Sequence, residues 1–416
     1  MKSTLLITNI GELATPMGHS ALAGAAMRDI HVVNDAVLVM DVDKIVWAGP
    51  ANELPSIEGP APDVVDAGGR AVIPGFVDSH THFIFGGYRD EEFLWRAGGM
   101  PYMEIHKRGG GIATSVAATR AASSQEMVHS GAVRLERMLE LGVTTVEGKS
   151  GYGLDLDTEL RQLEAMKTLM GLQPVDIVPT FMGMHSIPME YQGQPSAYTD
   201  HVLQKILPKV KKQGIAQFCD VFCEKGVFEL VDSRRFLEAA KAAGFGIKLH
   251  ADEIQRLGGA GLAAELGATS ADHLLKADLA DLSAMAKASV IATCLPLTAF
   301  VLHEPYADAR SMIDAGCAVA LASDLNPGSC YSQSIPLAVA LGVLYMGMAM
   351  EEVLCALTIN GAAALGLAHD RGSLEAGKLA DVLILDAPSY RHLAYHTGMN
   401  IVSTVIKRGK VESLRD

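Results

Sequence analysis

The chain has 416 residues, 49% hydrophobic and 20% charged, with a formal net charge of −14. This length and composition exclude a disordered segment or a lone small core, and point to one large domain with a smaller companion. The acidic balance argues against nucleic acid or a membrane surface as partner, and an anionic small substrate would need a local cationic clamp.

The six cysteines, Cys219, Cys223, Cys294, Cys317, Cys330 and Cys355, include no CxxC pair. A chain of this size needs no disulfide staples, so a reducing, cytoplasmic setting is expected. Cys219 and Cys223 lie beside Phe218 and Phe222 in a strand-like run and read as packing residues rather than metal ligands. No signal peptide is expected from the short apolar stretch in residues 1–9. The apolar run 335–350 falls short of the ~20 residues a membrane helix needs and reads as a buried helix.

In chain order, residues 1–70 carry strand-like pieces at 5–10, 36–42, 44–48 and 64–65, broken by Gly, Pro and Asp. Segments 379–386 and 403–411 read the same way. The two ends are therefore expected to pair into a small composite β-sandwich, 1–72 with 373–416, leaving 73–372 as the large domain.

Within that large domain, short apolar runs alternate with amphipathic helical stretches, the pattern of βα units around a parallel sheet. The runs fall at 72–77, 143–147, 175–181, 217–222, 246–250, 270–273, 290–294 and 319–323. Helices are predicted at 159–170, 199–212, 233–243, 280–288 and 307–315, with Gly171, Gly214, Gly244 and Gly316 placed as C-terminal caps. Eight units fit a (β/α)8 TIM-like barrel. The gap 83–142 is too long for one crossover and must hold inserted loops, including Gly109-Gly110-Gly111, which reads equally as a turn or as a ligand-covering loop.

Such a barrel gathers the residues at its strand ends at one mouth. Five of the 14 histidines, His80, His82, His185, His250 and His273, fall on predicted strand ends. His80 and His82 stand two apart after an apolar run, so period-2 geometry puts both imidazoles on one face. With His250 and Asp324 they make a nitrogen-rich set with one carboxylate, which suits zinc or iron better than magnesium or calcium. A bound metal brings the pKa of its water toward ~7, with Asp324 as both ligand and proton acceptor. Glu253, three positions after His250, is placed to carry a proton to a leaving nitrogen. Arg89 and Tyr152 lie on loops beyond strand ends; a guanidinium is the natural clamp for a substrate carboxylate and a tyrosine hydroxyl can add a third contact, though taken singly either residue reads as surface. The stretch 326–329 offers backbone groups near the metal, though as a motif it is little more than a turn.

With these residues assembled, the chain resembles the amidohydrolase superfamily, and within it the subfamily that opens an imidazolone ring in histidine degradation. The segments that carry the resemblance are Pro74-Gly-Phe-Val-Asp-Ser-His-Thr-His-Phe-Ile-Phe-Gly-Gly87 with Arg89, Lys149-Ser-Gly-Tyr-Gly153 and Thr180-Phe-Met-Gly-Met-His185. Lys248-Leu-His-Ala-Asp-Glu253, Ser270-Ala-Asp-His273 and Ser323-Asp-Leu-Asn-Pro-Gly-Ser329 complete it. The resemblance implies hydrolysis of 4-imidazolone-5-propanoate to N-formimidoyl-L-glutamate. It further implies one zinc or iron ion per subunit of a cytoplasmic homodimer and a role for His185 at the developing oxyanion. Glu253 with His273 would act on the water and the departing nitrogen, and Asn326, Gly328 and Ser329 would contact substrate or product.

Two-metal members of the superfamily use a carboxylated lysine from the fourth strand. Lys225 stands just past that strand here, but is read as a solvent or loop residue. A deaminase of neutral bases is the nearest rival, and Arg89 opposes it because a neutral base has no carboxylate to clamp. A lysine-bridged cyclic amidase and a non-catalytic metal-binding barrel are further rivals.

Overall fold

The computed structural model describes residues 1–100, 104, 108 and 110–414. β1 (Leu5–Pro16), β2 (Ile30–Asp41), β3 (Lys44–Pro50), β4 (Asp63–Asp66) and β5 (Ala71–Pro74) open the chain. β6 (Phe76–Asp78), β7 (Val143–Lys149), β8 (Asp176–Met184), β9 (Phe218–Cys223), β10 (Gly246–Ala251), β11 (Ser270–His273), β12 (Ile291–Cys294) and β13 (Val319–Leu321) follow. β14 (Val382–Leu385), β15 (Val402–Lys407) and β16 (Lys410–Leu414) close it.

β6 to β13 pair in sequence order as one parallel sheet, with helices between successive strands. The first and last strands meet beyond their ends: the Asp324 N–H donates to the His80 carbonyl at 3.0 Å and the His82 N–H to the Leu325 carbonyl at 2.8 Å. The Ser323 N–H and hydroxyl both bind the Asp78 carboxylate, at 2.9 and 2.6 Å. The chain thus forms a (β/α)8 barrel whose seam is drawn together where the expected metal ligands stand. Helices cover it outside, burying Leu163, Met166 and Leu169 from Leu156–Met170 and Phe236, Leu237 and Ala240 from Leu230–Ala242.

The terminal segments form a separate sheet, ordered β16-β15-β14-β5-β1-β2-β3, with β4 also on β1. Ile45 of β3 and Ile406 of β15 share one core, so this sheet folds over on itself. The expected run 72–77 is two strands, β5 in the terminal sheet and β6 in the barrel, parted at Gly75. A Cβ there would sit 2.4 Å from Thr144 Oγ1, so only glycine lets the chain cross between sheets at this point.

The predicted helix 199–212 is interrupted: Pro195–His201 and Leu207–Gln213 flank a wide turn, Val202–Ile206. Pro208 lacks the N–H that a continuous helix would need. Gly214, Gly244 and Gly316 adopt positive φ as caps, whereas Gly171 closes its helix at φ −94°. Run 335–350 gives helix Ile335–Leu344 and the start of Met350–Leu357. Among the described residues no helix is long and apolar enough to cross a membrane. The 83–142 insertion contains helices Asp90–Ala97, Ile112–Ala121 and Ser124–Glu140. Gly109 of its glycine run lies outside the described residues.

Candidate active site

The five strand-end histidines and Asp324 converge at the barrel mouth. His80 Nε2 lies 3.5 Å and His82 Nε2 3.9 Å from Asp324 Oδ1, and His250 Nε2 lies 3.4 Å from His82 Nε2. His80, His82 and Asp324 offer ligand atoms within 4.8 Å of one another, as do His82, His185 and His250, and His80, His250 and His273. The His80 Nε2 is buried without a hydrogen-bond partner. Buried polar atoms are seldom left so, and this one fits a metal cation. His273 and Asp324 hold left-handed backbone, φ 75° and 52°, which is uncommon for residues other than glycine and is found at functional sites.

The imidazoles are oriented from below. His80 Nδ1 donates to Asp272 Oδ2 at 2.6 Å and His250 Nδ1 to Asp220 Oδ1 at 3.1 Å. With Nδ1 carrying the proton, Nε2 of both rings presents a lone pair, the tautomer a ligand requires. Thr298 Oγ1 binds Asp324 Oδ2 at 2.6 Å, leaving Oδ1 toward the histidines. Burial holds His80, His82 and His273 well below the ordinary imidazole range, so all three are neutral at pH 7.

His185 is also pushed down by burial and then by His250, to about 3. Its Nδ1 stands 3.0 Å from the Gly151 carbonyl, which can only accept. The neutral ring therefore donates there and offers Nε2 as an acceptor. An oxyanion needs a donor, so the expected oxyanion role does not match this tautomer.

Carboxylates shape the loops carrying the other groups. Glu159 accepts the N–H groups of Gly153 and Leu154 at 2.9 and 2.8 Å and fixes the loop of Tyr152. Glu224 accepts from Ile254 and Gln255 at 2.9 and 3.2 Å, holding the turn after Glu253. Lys225, next to it, is exposed.

A cavity of about 680 Å³ opens above the histidines, and Arg89, Tyr152, His185, Glu253, Asn326 and Asp324 are among its walls. Arg89 Nε donates to Glu92 Oε2 at 2.9 Å and its Nη2 to Glu92 Oε1, while the Gly111 N–H binds the same glutamate at 2.7 Å. A Cβ on Gly328 would lie 2.1 Å from Arg89 Nη1, so glycine makes room for the guanidinium. Arg96 reaches the Gly328 carbonyl at 3.3 Å from the same side. Tyr152 is buried, its ring centre 5.7 Å from His82 and 5.1 Å from His185, and burial raises its phenol pKa so that it stays protonated. Asn326 uses its side chain within its own loop, accepting from the Gly328 and Ser329 N–H groups at 2.8 Å each. Asn326, Gly328 and Ser329 line the cavity, with Asn326 Oδ1 engaged by the loop.

Glu253 Oε2 faces His273 Nε2 at 3.6 Å, and burial, then Asp324, raises its pKa to about 8. Sequence reasoning assigned no role to Glu92, Arg96, Asp220, Thr298 or Asp272. The two strand carboxylates among them, Asp220 and Asp272, could have been found by parity: Asp220 aligns with Lys248, and Asp272 with His250, in adjacent strands.

A parallel eight-stranded barrel with histidines and an aspartate gathered at its strand ends defines a metal-dependent hydrolase. The model of the amidohydrolase family matches residues 71–411. The chain is 52% identical to the imidazolonepropionase of Parabacteroides distasonis, over 98% of this chain and 99% of that one. It is 51% identical to that of Clostridium tetani, over 99% and 98%. Among solved structures, a 5-methylcytosine deaminase from Klebsiella pneumoniae shares the fold with a TM-score of 0.71 at 19% identity, covering 99% of this chain and 98% of that one. The chain belongs to the amidohydrolase family, and within it to the imidazolonepropionases. It is a metal-dependent enzyme acting on a small-molecule substrate.

Proposed function

We propose that the barrel mouth hydrolyses the ring amide of 4-imidazolone-5-propanoate to N-formimidoyl-L-glutamate, a step of histidine degradation. One observation carries this reading: in a chain half-identical to imidazolonepropionases, a histidine–aspartate centre and a guanidinium line the same cavity.

His80, His82, His250 and Asp324 would hold one zinc or iron ion, a choice supported by the Nε2 lone pairs of His80 and His250 and by Asp324 Oδ1 left toward the histidines. The bound ion supplies Lewis acidity, which makes water a competent nucleophile near neutral pH. Asp324 accepts a proton from the attacking water as its oxygen bonds to the ring carbonyl carbon. Glu253, protonated at neutral pH by its raised pKa, gives its proton to the ring nitrogen as the C–N bond breaks. His273 keeps Glu253 aimed at that nitrogen. Neutral His185 accepts a hydrogen bond from a ring N–H through Nε2, and so orients the substrate rather than its oxyanion. Arg89, braced by Glu92, and the Tyr152 hydroxyl hold the propionate, and the loop 326–329 walls that end of the cavity.

The six free cysteines, all buried, suit a reducing cytoplasm, family likeness supports a homodimer, and the net charge of −14 argues against nucleic-acid or membrane partners. The test is incubation of the metal-analysed protein with freshly generated 4-imidazolone-5-propanoate, following loss of ring ultraviolet absorbance and identifying the product by mass. N-formimidoyl-L-glutamate is the expected product. No turnover by metal-loaded protein, with ammonia released from neutral bases, would favour a deaminase instead.

A further inference from the structure

Below the histidines, inside the barrel, lie two lysines and three carboxylates, all fully buried: Lys149, Lys248, Glu147, Asp220 and Asp272. Asp220 and Asp272 orient His250 and His80, whereas Glu147 and the two lysines have no part in the chemistry above. Strand geometry brings them together. Glu147 and Lys149 are two apart on β7 and share a face, as do Lys248 and His250 on β10. Register sets Lys248 beside Asp220 and His250 beside Asp272.

The two lysines are not equivalent. Lys149 Nζ lies 2.6 Å from Asp220 Oδ2, 2.9 Å from Glu147 Oε2 and 3.6 Å from Asp272 Oδ2. Lys248 Nζ lies 2.7 Å from Glu147 Oε2 and 3.0 Å from the Ser79 carbonyl, and reaches Asp272 only at 3.9 Å. Asp220 and Asp272 are the carboxylates that take Nδ1 of His250 and His80. Among the described residues Lys149 is the lysine in contact with both.

We propose that Lys149 is a positioning residue for the metal centre. Its ammonium fastens Asp220 and Asp272, and through them fixes the tautomer and direction of His250 and His80, so that both Nε2 atoms would offer lone pairs to an ion. Three buried carboxylates facing Lys248 alone would be under-compensated. Asp220, losing its strongest cationic contact, would then release the His250 ring. The inference rests on the metal-site reading above.

The test is zinc affinity, measured on metal-free protein by competition with a chromophoric chelator. Lys149→Met is expected to weaken zinc about 10- to 100-fold, the range for loss of a partner that orients a ligand, and Lys248→Met to weaken it less. A residue that merely stabilises the barrel would lower the melting temperature of metal-free protein and leave zinc affinity alone. Unchanged affinity in Lys149→Met overturns the inference. Should that variant not fold, Lys149→Met/Asp220→Asn/Asp272→Asn is compared with Asp220→Asn/Asp272→Asn. Equal affinities support action through the two carboxylates, and a further loss in the triple variant overturns it. Failure of the wild-type protein to bind zinc or iron would instead remove the metal-site reading itself.

Discussion

Glu253 and His273 face each other across the end of β11, Oε2 to Nε2 at 3.6 Å, in the wall of the cavity. In the proposed mechanism the pair handles protons and other residues hold the ion. Glu253→Gln keeps the shape but not the proton and should lower kcat by about 10²- to 10⁴-fold, with metal content unchanged by elemental analysis. Loss of metal together with activity would reassign Glu253 to the metal site.

The same carboxyl gives a signed pH effect. Its native pKa is raised to about 8 by burial and by Asp324, against ~4.3 for an exposed glutamate. The stability it contributes is complete below pH ~4 and is lost as pH climbs from there through about 8. Metal-free Glu253→Gln should thus melt with the wild type near pH 4 and above it at pH 9. A constant difference across that window would mean the group does not titrate as its surroundings require.

Asp324 sits at the seam where the last strand meets the first, with left-handed backbone that asparagine also tolerates. Asp324→Asn should fold, lose metal on dialysis against a weak chelator and lose at least about 10²-fold in kcat. Retained metal with full activity would exclude it as a ligand.

Arg89 is fixed by Glu92 and by the space Gly328 leaves. Arg89→Ala should raise KM for the propionate substrate about 10- to 100-fold while changing kcat far less, since it removes binding rather than chemistry. Glu92→Gln should raise KM by a smaller factor, because the guanidinium stays but loses its brace. An unchanged KM in Arg89→Ala would move the carboxylate site elsewhere, with Arg96 the next residue to replace.

Gly75, where the chain leaves one sheet for the other, allows a stability test remote from the chemistry. The Cβ of Gly75→Ala would meet the Thr144 side chain at 2.4 and 2.5 Å. The cost expected from overpacking is about 1–3 kcal/mol, read by denaturant unfolding, with KM unaffected.

The barrel and the gathering of His80, His82, His250 and Asp324 at its mouth were legible because apolar runs leading into them state both a strand and a direction. The break at Gly75 was not, since β5 and β6 are equally apolar and hydrophobic pattern cannot reveal a change of hydrogen-bond partner. Lys149, Asp220 and Lys248 were hidden for a related reason: a charged residue in a sequence reads as surface, and only strand register shows that these three point inward together. Glu92 and Arg96 lie in the long insertion, where no periodicity links them to a strand end. The tautomer of His185 depends on one carbonyl, Gly151, brought to it by a neighbouring loop.

The most direct test of ring opening by water at the amide carbonyl is turnover of 4-imidazolone-5-propanoate in water enriched in heavy oxygen, with mass analysis of the product. N-formimidoyl-L-glutamate carrying one heavy oxygen in its newly formed carboxylate is the required result. Release of ammonia with the ring intact, or product without the label, would contradict hydrolysis at that carbonyl and with it the roles given to Asp324 and Glu253.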